Sequence, residues 1–286
     1  MITSPRTAVF SAALARKGWL GAHRFLIARR VTQLGVLGLF LAGPLAGLWI
    51  VKGTLASSVV LGVLPLSDPF IALQALAAGH LPEATLLAGA AIVLAFYLVI
   101  GGRAYCGWVC PVNLVSDAAA WLRRRAGIEA GAPPSRATRY ALLAAVFAVC
   151  AATGTLVWEL VNPVTLLHRA LVFGAFTGAA AALGVFVFDL VVAARGWCGH
   201  VCPMGAFYAL LGRAALLRVS ARHASRCNDC RDCLRACPEP QVIQPALKGG
   251  GSPVILGGAC TNCGRCIDVC APDVFRFTNR FDTRRE

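Results

Sequence analysis

Two stretches of this 286-residue chain decide the fold of its C-terminal part: CNDCRDCLRACP at 227–238 and CTNCGRCIDVCAP at 260–272. In both stretches the cysteines follow the spacing C-x2-C-x2-C-x3-C. Zinc sites use paired C-x2-C units with longer gaps, and disulfides do not require three cysteines at a spacing of three. Thiolates at this spacing are typical of proteins that hold two 4Fe-4S clusters. We therefore predict two iron–sulfur clusters here.

The pairing of cysteines with clusters follows from the same pattern. In two-cluster proteins of this kind, the fourth cysteine of each run ligates the cluster of the other run. We predict a first ligand set of Cys227, Cys230, Cys233 and Cys270. The predicted second ligand set is Cys260, Cys263, Cys266 and Cys237. Both belong to a predicted ferredoxin-like α+β module at 218–286, in which the Pro- and Gly-rich segment 238–259 is expected to be a surface loop.

The rest of the chain has the composition of a membrane protein. Apolar residues make up 58% and charged residues 14%, and the mean hydropathy is +0.69. Soluble domains carry about 25% charged residues. Four apolar stretches are long enough to cross a bilayer as helices; they run at 31–51, 84–102, 140–157 and 170–194. The predicted fold is mostly α, with a four-helix membrane domain at 31–217.

The charge distribution predicts the orientation. The chain carries 27 Lys and Arg against 13 Asp and Glu, a net charge of +14. The two loops on one side of the predicted spans hold only Lys52 and Arg169. Because basic residues stay on the cytoplasmic side, we predict a multi-pass membrane protein with both termini in the cytoplasm. The basic segment 1–30 is expected to contact membrane lipid, and no nucleic-acid-binding signature accompanies the charge.

The membrane domain contains an internal repeat. The sequence RAYCGWVCPVN at 103–113 follows the second predicted span, and RGWCGHVCPMG at 195–205 follows the fourth. Each repeat unit is therefore a helical hairpin that ends in a Cys-x3-Cys-Pro motif. The fold prediction is two related hairpins, which can pack side by side.

The repeat pairs Cys106 with Cys198 and Cys110 with Cys202. Cysteines four residues apart share one helix face, so packed hairpins would bring four thiols together. Three interpretations stay open, namely an additional metal or cluster site, a thiol redox centre, and structural packing. The remaining cysteine, Cys150, lies alone in an apolar run and is interpreted as a small buried hydrophobe.

A larger set of short motifs resembles one known family. They are KGW at 17–19, His23-Arg24, Arg29-Arg30, PLSDP at 65–69, AAGHLP at 77–82, both CGxVCP motifs, GTLVWELVNPV at 154–164 and the two cysteine runs. This combination resembles the NapH/MauN family, the membrane-bound ferredoxin-type quinol dehydrogenase component of periplasmic nitrate reductase systems. The resemblance covers nearly the whole chain.

The resemblance implies an oxidoreductase of the bacterial inner membrane that oxidises quinol and works with partner subunits. Electrons would pass toward periplasmic nitrate reductase, with a periplasmic ferredoxin-type subunit and a membrane-anchored multihaem c-type cytochrome as partners. The methylamine-utilisation members share the same layout, so the resemblance leaves the terminal acceptor open.

Quinol oxidation releases protons as well as electrons, so the site needs a proton acceptor. The first candidates are Asp189 inside the fourth predicted span and Glu159 beside Trp158. An ionisable residue within a span indicates function by default, whereas Asp189 could also reach the headgroups and Glu159 could belong to an interfacial anchor. Further candidates are His80, Glu83, His168 and His200.

Two other functions fit the same motifs. The chain could be an iron–sulfur assembly or regulatory membrane scaffold for a partner reductase, or a soluble ferredoxin merely tethered to the membrane. Turnover distinguishes the first of these from a quinol dehydrogenase, because quinol should bleach the iron–sulfur absorbance of an electron carrier and leave that of a scaffold unchanged.

Overall fold

The computed structural model describes residues 10–128, 131–174, 176–249 and 251–286. The chain divides into two compact units. Unit 1 combines the N-terminal segment up to Val31 with Leu98–Trp108 and Ala209–Glu286. Unit 2 comprises Thr32–Tyr97 and Val109–Tyr208. The domain boundaries predicted after residues 30 and 217 stay a prediction, because unit 1 contains both the N-terminal and the C-terminal segment and also the short segment 98–108.

The described residues are mostly helical, as predicted. The helices are α1 Ser11–Ala46, α2 Pro69–Ala77, α3 Ala84–Ile100, α4 Ala104–Trp108, α5 Val112–Arg125, α6 Thr138–Thr153, α7 Val157–Val161, α8 Pro163–Phe173, α9 Phe176–Val191, α10 Pro203–Gly212, α11 Asp232–Ala236, α12 Gln244–Lys248 and α13 Arg265–Val269. A π-helical turn covers Trp197–Val201, and 3₁₀ turns cover Ala224–Arg226 and Pro240–Val242. The strands are β1 Val51–Gly53, β2 Ser57–Val60, β3 Leu64–Ser67, β4 Leu217–Ser220 and β5 Arg276–Asn279.

Unit 1 contains the α+β module that the cysteine runs predict. Strand β4 pairs antiparallel with β5, with Val219 opposite Phe277. Each cysteine run contains one short helix, α11 in the first and α13 in the second, and both helices contribute buried residues to one hydrophobic core. Burial of this apolar surface stabilises a module that is otherwise built from short elements.

The expectation of a surface loop at 238–259 is wrong. The segment forms a 3₁₀ turn and α12, and its residues Val242, Ile243 and Ala246 are buried in the core of the module. The prolines that suggested a loop, Pro240 and Pro245, occupy the first positions of these helical turns. Proline is favoured there because its fixed φ suits a helix and its missing N–H is not needed.

The N-terminal segment is helical and packs within unit 1. Lys17 Nζ donates to the carbonyl of Ile267 at 2.9 Å, and the Phe25 and Phe277 rings lie 5.3 Å apart. The buried Asp268 carboxylate accepts the backbone N–H groups of Phe25 and Leu26, each at 3.2 Å. These contacts make the N-terminal segment a structural part of the cysteine-rich unit.

Unit 2 contains a small sheet that the sequence did not predict. Strands β1, β2 and β3 form an antiparallel meander. The sheet leads directly into α2, whose N-cap is Asp68: its carboxylate accepts the backbone N–H of Phe70 at 2.9 Å. Such a cap satisfies one of the free N–H groups at the start of a helix.

The predicted spans correspond to helices with different ends. Within the described ranges, α1 alone is long and apolar enough to cross a membrane by length and composition. The other three spans fall on α3, α6 and α9, which have 17, 16 and 16 residues. The stretch 170–194 is not one helix, because α8 ends at Gly174 in the left-handed region and α9 follows it. The four-span topology therefore stays a prediction.

Candidate iron–sulfur site

The first predicted ligand set surrounds a cavity. The sulfur-bearing residues Cys227, Cys230, Cys233 and Cys270 all line one cavity of about 350 Å³ in unit 1. Three of them come from the first run, whereas Cys270 is the last cysteine of the second run. A void with four cysteines on its walls is the arrangement that a thiolate-bound cluster requires.

The second predicted set is also clustered. The electrostatic neighbours of the Cys266 thiol are Cys263, Cys237, Cys260 and Cys233, so the last cysteine of the first run lies near the second run. Burial raises the pKa of Cys266 well above that of an ordinary thiol. Cys263 and Cys266 are buried and Cys237 and Cys260 are half-buried, so this set has no exposed member, whereas Cys230 of the first set is exposed.

The thiol chemistry fits clusters better than disulfides or a single ion. Among the described residues no disulfide links the cysteines, and no three His, Cys, Asp or Glu side chains converge on one metal-ion position. A cubane cluster instead binds its thiolates at four different irons, so the sulfurs stand around a void. Burial raises the pKa of Cys233 to about 12 and that of Cys260 to about 11. Metal binding must therefore displace protons from these thiols.

Asn262, inside the second run, ties the run to two other parts of unit 1. Its Nδ2 donates to the carbonyl of Ile100 at 2.8 Å and to that of Leu217 at 2.9 Å. Its own carbonyl accepts the indole N–H of Trp108 at 3.1 Å. The loop between Cys260 and Cys263 is thus fixed by three hydrogen bonds in addition to its cysteines.

A buried ion pair lies beside the second set. The Arg103 guanidinium meets the Glu239 carboxylate at 2.5 Å, and the two side chains are 2% and 1% exposed. Arg103 also donates to the carbonyl of Ala259, directly before Cys260, and the Glu239 N–H points at the Cys237 sulfur at 3.4 Å. The pair joins residues 136 positions apart, so no local sequence pattern could have revealed it.

Gly264 shows why glycine is needed inside the second run. Its φ is +71°, in the left-handed region, and a Cβ at this position would lie 2.4 Å from Cγ of Phe25. Both the backbone conformation and the close approach of a ring exclude a larger residue. The N-terminal segment therefore packs directly against the cysteine loop.

The two Cys-x3-Cys motifs lie in different secondary-structure elements. Cys106 lies in α4 and belongs to unit 1, whereas the other three cysteines of the motifs belong to unit 2. Within unit 2, Ser116 Oγ lies 3.7 Å from the Cys198 sulfur, and the N–H of Gly205 donates to the Cys202 sulfur at 3.4 Å. Cys198 sits in the π-helical turn, a rare element that is frequent at functional sites. The convergence of all four thiols, with Cys110 as the fourth, stays a prediction.

Asp189 is fully buried and forms a hydrogen bond with the turn that contains the second Cys-x3-Cys motif. Its Oδ1 accepts the backbone N–H of Trp197 at 2.8 Å, at the start of the turn that contains Cys198. Its Oδ2 has no hydrogen-bond partner in the part of the chain that the structure describes. One oxygen thus positions backbone, and the Ser116 hydroxyl is a further polar neighbour of the carboxylate.

Glu159 belongs to a polar cluster in unit 2. Its carboxylate accepts hydrogen bonds from Asn162 Nδ2 at 3.0 Å and from Thr165 Oγ1 at 2.8 Å. Its negative charge also acts on Asp68, and the Tyr208 hydroxyl donates to Asp68 Oδ1 at 3.0 Å. Burial, with Glu159 adding to it, raises the pKa of Asp68 to about 7. The sequence offered one signal for Asp68, its place in the quoted PLSDP motif.

The histidine and glutamate candidates are dispersed. His168 is 1% exposed and stacks edge-on against Phe40, and burial lowers its pKa. Among the described residues its ring nitrogens have no hydrogen-bond partner. His80 and His200 each contact a backbone carbonyl, of Gly154 and Pro134 respectively. The carboxylate of Glu83, the fourth of these candidates, accepts a hydrogen bond from the Thr85 hydroxyl at 3.4 Å.

Comparison with known families agrees with this arrangement. A family model described as a 4Fe-4S binding domain matches the chain twice, at 84–129 and 174–222. Each match contains one Cys-x3-Cys-Pro motif, which confirms the predicted internal repeat. A second model, described as a 4Fe-4S dicluster domain, matches 219–271 and covers both cysteine runs. Fold and motifs together define a ferredoxin-type iron–sulfur protein.

Individual relatives narrow this class. The chain is 52% identical to the methylamine utilization ferredoxin-type protein MauN of Methylorubrum extorquens, over 93% of each chain. It is 48% identical to the ferredoxin-type protein NapH of Haemophilus influenzae over 93% of each, and 46% identical to NapH of Escherichia coli over 95% of each. The chain therefore belongs to the NapH/MauN family of ferredoxin-type proteins, as the sequence motifs predicted. No solved structure matches the chain significantly.

Proposed function

We propose that this protein is the membrane component of a quinol dehydrogenase, which passes electrons from quinol through two 4Fe-4S clusters to partner subunits. The first cluster would be held by Cys227, Cys230, Cys233 and Cys270. The second would be held by Cys260, Cys263, Cys266 and Cys237. When bound, each cluster accepts and releases one electron. The four cysteines that line one cavity, with Cys270 contributed by the second run, are the observation that carries the proposal.

The proton acceptors are proposed to lie in unit 2. Asp68 and Glu159 form one acidic site, and the raised pKa of Asp68, about 7, lets its carboxyl gain and lose a proton near neutral pH. The Tyr208 hydroxyl holds Asp68 in place. Asp189 is a second proposed acceptor through its unpartnered oxygen, although its bond to Trp197 also gives it a positioning role.

The direct test is quinol turnover. The purified protein in lipid vesicles should lose its iron–sulfur absorbance when quinol is added without oxygen. Unchanged absorbance, in a protein that dithionite still reduces, would favour the regulatory or assembly scaffold. In that case a partner enzyme would dock against the first ligand set, where Cys230 is exposed.

The Asp68 site makes a pH prediction for the same assay. Only the ionised carboxylate accepts a proton, so the bleaching rate should rise as pH increases through about 7 and then level off. Asp68→Asn should remove this rise, whereas Asp229→Asn, an exposed carboxyl in the cysteine module, should retain it. A rise that persists in Asp68→Asn would transfer the role to Glu159 or Asp189.

Stability provides a readout of Asp68 that needs no quinol. Its pKa is raised in the folded state, so the folded protein holds a proton that the unfolded chain has lost between the two pKa values. Stability should therefore fall as pH rises from about 4 to about 7, by at most about 1.4 kcal/mol per pH unit. Asp68→Asn should flatten this dependence in thermal melts recorded across that range.

The proposed electron acceptor is a periplasmic reductase system. The NapH relatives and the family resemblance support periplasmic nitrate reductase, with a periplasmic ferredoxin-type subunit and a membrane-anchored multihaem c-type cytochrome as partners. The relatives named for methylamine utilization favour a methylamine system as the second candidate. Loss of growth on nitrate or on methylamine in a deletion strain separates the two.

A further inference from the structure

Arg218, on β4, is a buried cation with an unusual set of partners. Its side chain is 2% exposed, and its guanidinium donates to the backbone carbonyls of Ala215, at 3.1 Å, and Gly212. Within the described ranges no carboxylate forms an ion pair with it. A buried charge that is bonded only to neutral groups is costly unless an opposite charge lies nearby.

The negative group that acts on Arg218 belongs to the second cysteine run. Burial lowers the pKa of Arg218, and the Cys260 thiolate opposes that shift. The backbone explains this proximity, because Asn262 of the Cys260 loop donates to the carbonyl of Leu217, the residue before Arg218. The loop also approaches the Arg218 acceptor Gly212 closely, since a Cβ there would lie 2.5 Å from the Gly258 carbonyl oxygen.

The cations around the first ligand set are placed differently. Burial raises the pKa of the Cys270 thiol, and Lys17, which opposes that shift, is paired with Asp273. Lys248 and Arg231 line the cavity but are exposed, and Lys248 is also paired with Asp229. Carboxylate partners and water screen these charges strongly. Beside the second set, Arg103 is paired with Glu239, whereas Arg218 has no carboxylate partner among the described residues.

We propose that Arg218 is the counter-charge of the second cluster and gives this cluster the higher reduction potential of the two. A fixed positive charge in a low-dielectric site favours the more negative, reduced state of a neighbouring centre. An electron shared between the clusters would then rest on the Cys260 side. This inference rests on the two-cluster function proposed above and states which of the two clusters holds the electron.

The experiment is an anaerobic redox titration followed by electron paramagnetic resonance. Each signal is assigned with ligand variants, Cys263→Ser for the second cluster and Cys230→Ser for the first. In the wild type, the signal that appears first on reduction should be the one that Cys263→Ser alters. In Arg218→Gln, the electron equilibrium between clusters should move at least tenfold toward the first cluster, which corresponds to 59 mV for a one-electron couple.

Two further variants isolate the charge. Arg218→Lys keeps it and should stay within about threefold of the wild-type equilibrium. Arg276→Gln removes the same charge from an exposed position on the paired strand β5 and should leave the equilibrium unchanged. A shift in Arg218→Lys as large as in Arg218→Gln, or an equal shift in Arg276→Gln, would overturn the proposal.

The assignment of the first-reduced signal in the wild type tests the proposal even if Arg218→Gln does not assemble its clusters. A first-reduced signal that Cys230→Ser alters would contradict the inference without any change at Arg218. Failure of the underlying function looks different, because a wild-type protein with far fewer than about eight irons has no pair of clusters to compare. A protein with both clusters that ignores quinol would contradict the quinol proposal and leave the Arg218 result valid.

Discussion

The two cysteine runs share one spacing but lie in opposite surroundings. The first run lines an open cavity, and its Cys230 is exposed. In the second run Cys263 and Cys266 are buried, and the run's buried Cys270 forms part of the cavity wall of the first set. Its loop is bonded to Ile100 and Leu217 through one asparagine. Identical ligand chemistry therefore yields one accessible and one protected position within the same module.

This difference suggests that the two clusters have different roles in the proposed electron transfer. Electron transfer to another protein requires close approach, which the exposed side of the first set allows. The second set is held next to the segment 98–108, which carries the first Cys-x3-Cys cysteine, Cys106, in the same unit. We expect the first cluster to exchange electrons with a partner protein and the second to exchange electrons within this protein. The following predictions test whether the asymmetry is real.

The largest effect on stability is expected at the buried pair beside the second run. Glu239→Ala leaves the Arg103 guanidinium buried without its carboxylate. Removing one partner of a buried pair costs about 3–5 kcal/mol, and chemical denaturation of the anaerobically purified protein should report it. Replacing both residues, as Arg103→Met with Glu239→Leu, should recover much of the loss, since no isolated charge then remains. A double variant as unstable as Glu239→Ala would contradict this explanation.

An intermediate effect is expected at Gly264. The substitution Gly264→Ala places a Cβ against Phe25 in a backbone conformation that disfavours it, at a cost of about 1–3 kcal/mol. Its matched control is Gly251→Ala, where a Cβ would meet nothing within 4 Å. The control should melt as the wild type does, whereas Gly264→Ala should melt earlier and lose second-cluster absorbance first. Equal melting of both variants would argue against the close packing of the second run.

The smallest effect is expected beside the first run. Lys248 and Asp229 form a 2.7 Å ion pair whose side chains are 61% and 63% exposed. Exposed pairs contribute little because water and salt screen them. Lys248→Ala should therefore leave the denaturation midpoint unchanged, in low and in high salt. A clear destabilisation in low salt would show that the first run is less open than the structure indicates.

Sequence reasoning succeeded where spacing alone specifies the chemistry. The two runs predicted a dicluster module, and the Cys-x3-Cys motifs predicted the repeat that the family comparison confirms. It failed where long-range packing decides. Burial of Ile243 and Ala246 makes a Pro-rich segment part of the hydrophobic core. The role proposed for Arg218 depends on the backbone contacts that bring Cys260 near it.

The proton site shows the same limit. Glu159 and Asp189 were recognisable as ionisable residues in apolar surroundings, but Asp68 acquires its raised pKa from burial that only the fold reveals. The hydroxyl that holds it, on Tyr208, is 140 positions away in sequence. Local patterns therefore name candidate acids, and tertiary structure selects among them.

The variant Cys270→Ser tests whether the last cysteine of each run ligates the cluster of the other run. The purified variant is examined by electron paramagnetic resonance and iron analysis beside Cys230→Ser and Cys263→Ser, with the isolated Cys150→Ser as control. Cys270→Ser should alter the same signal as Cys230→Ser, although the two residues lie in different runs, and Cys150→Ser should retain about eight irons. A Cys270→Ser variant that instead alters the Cys263 signal would contradict the claim.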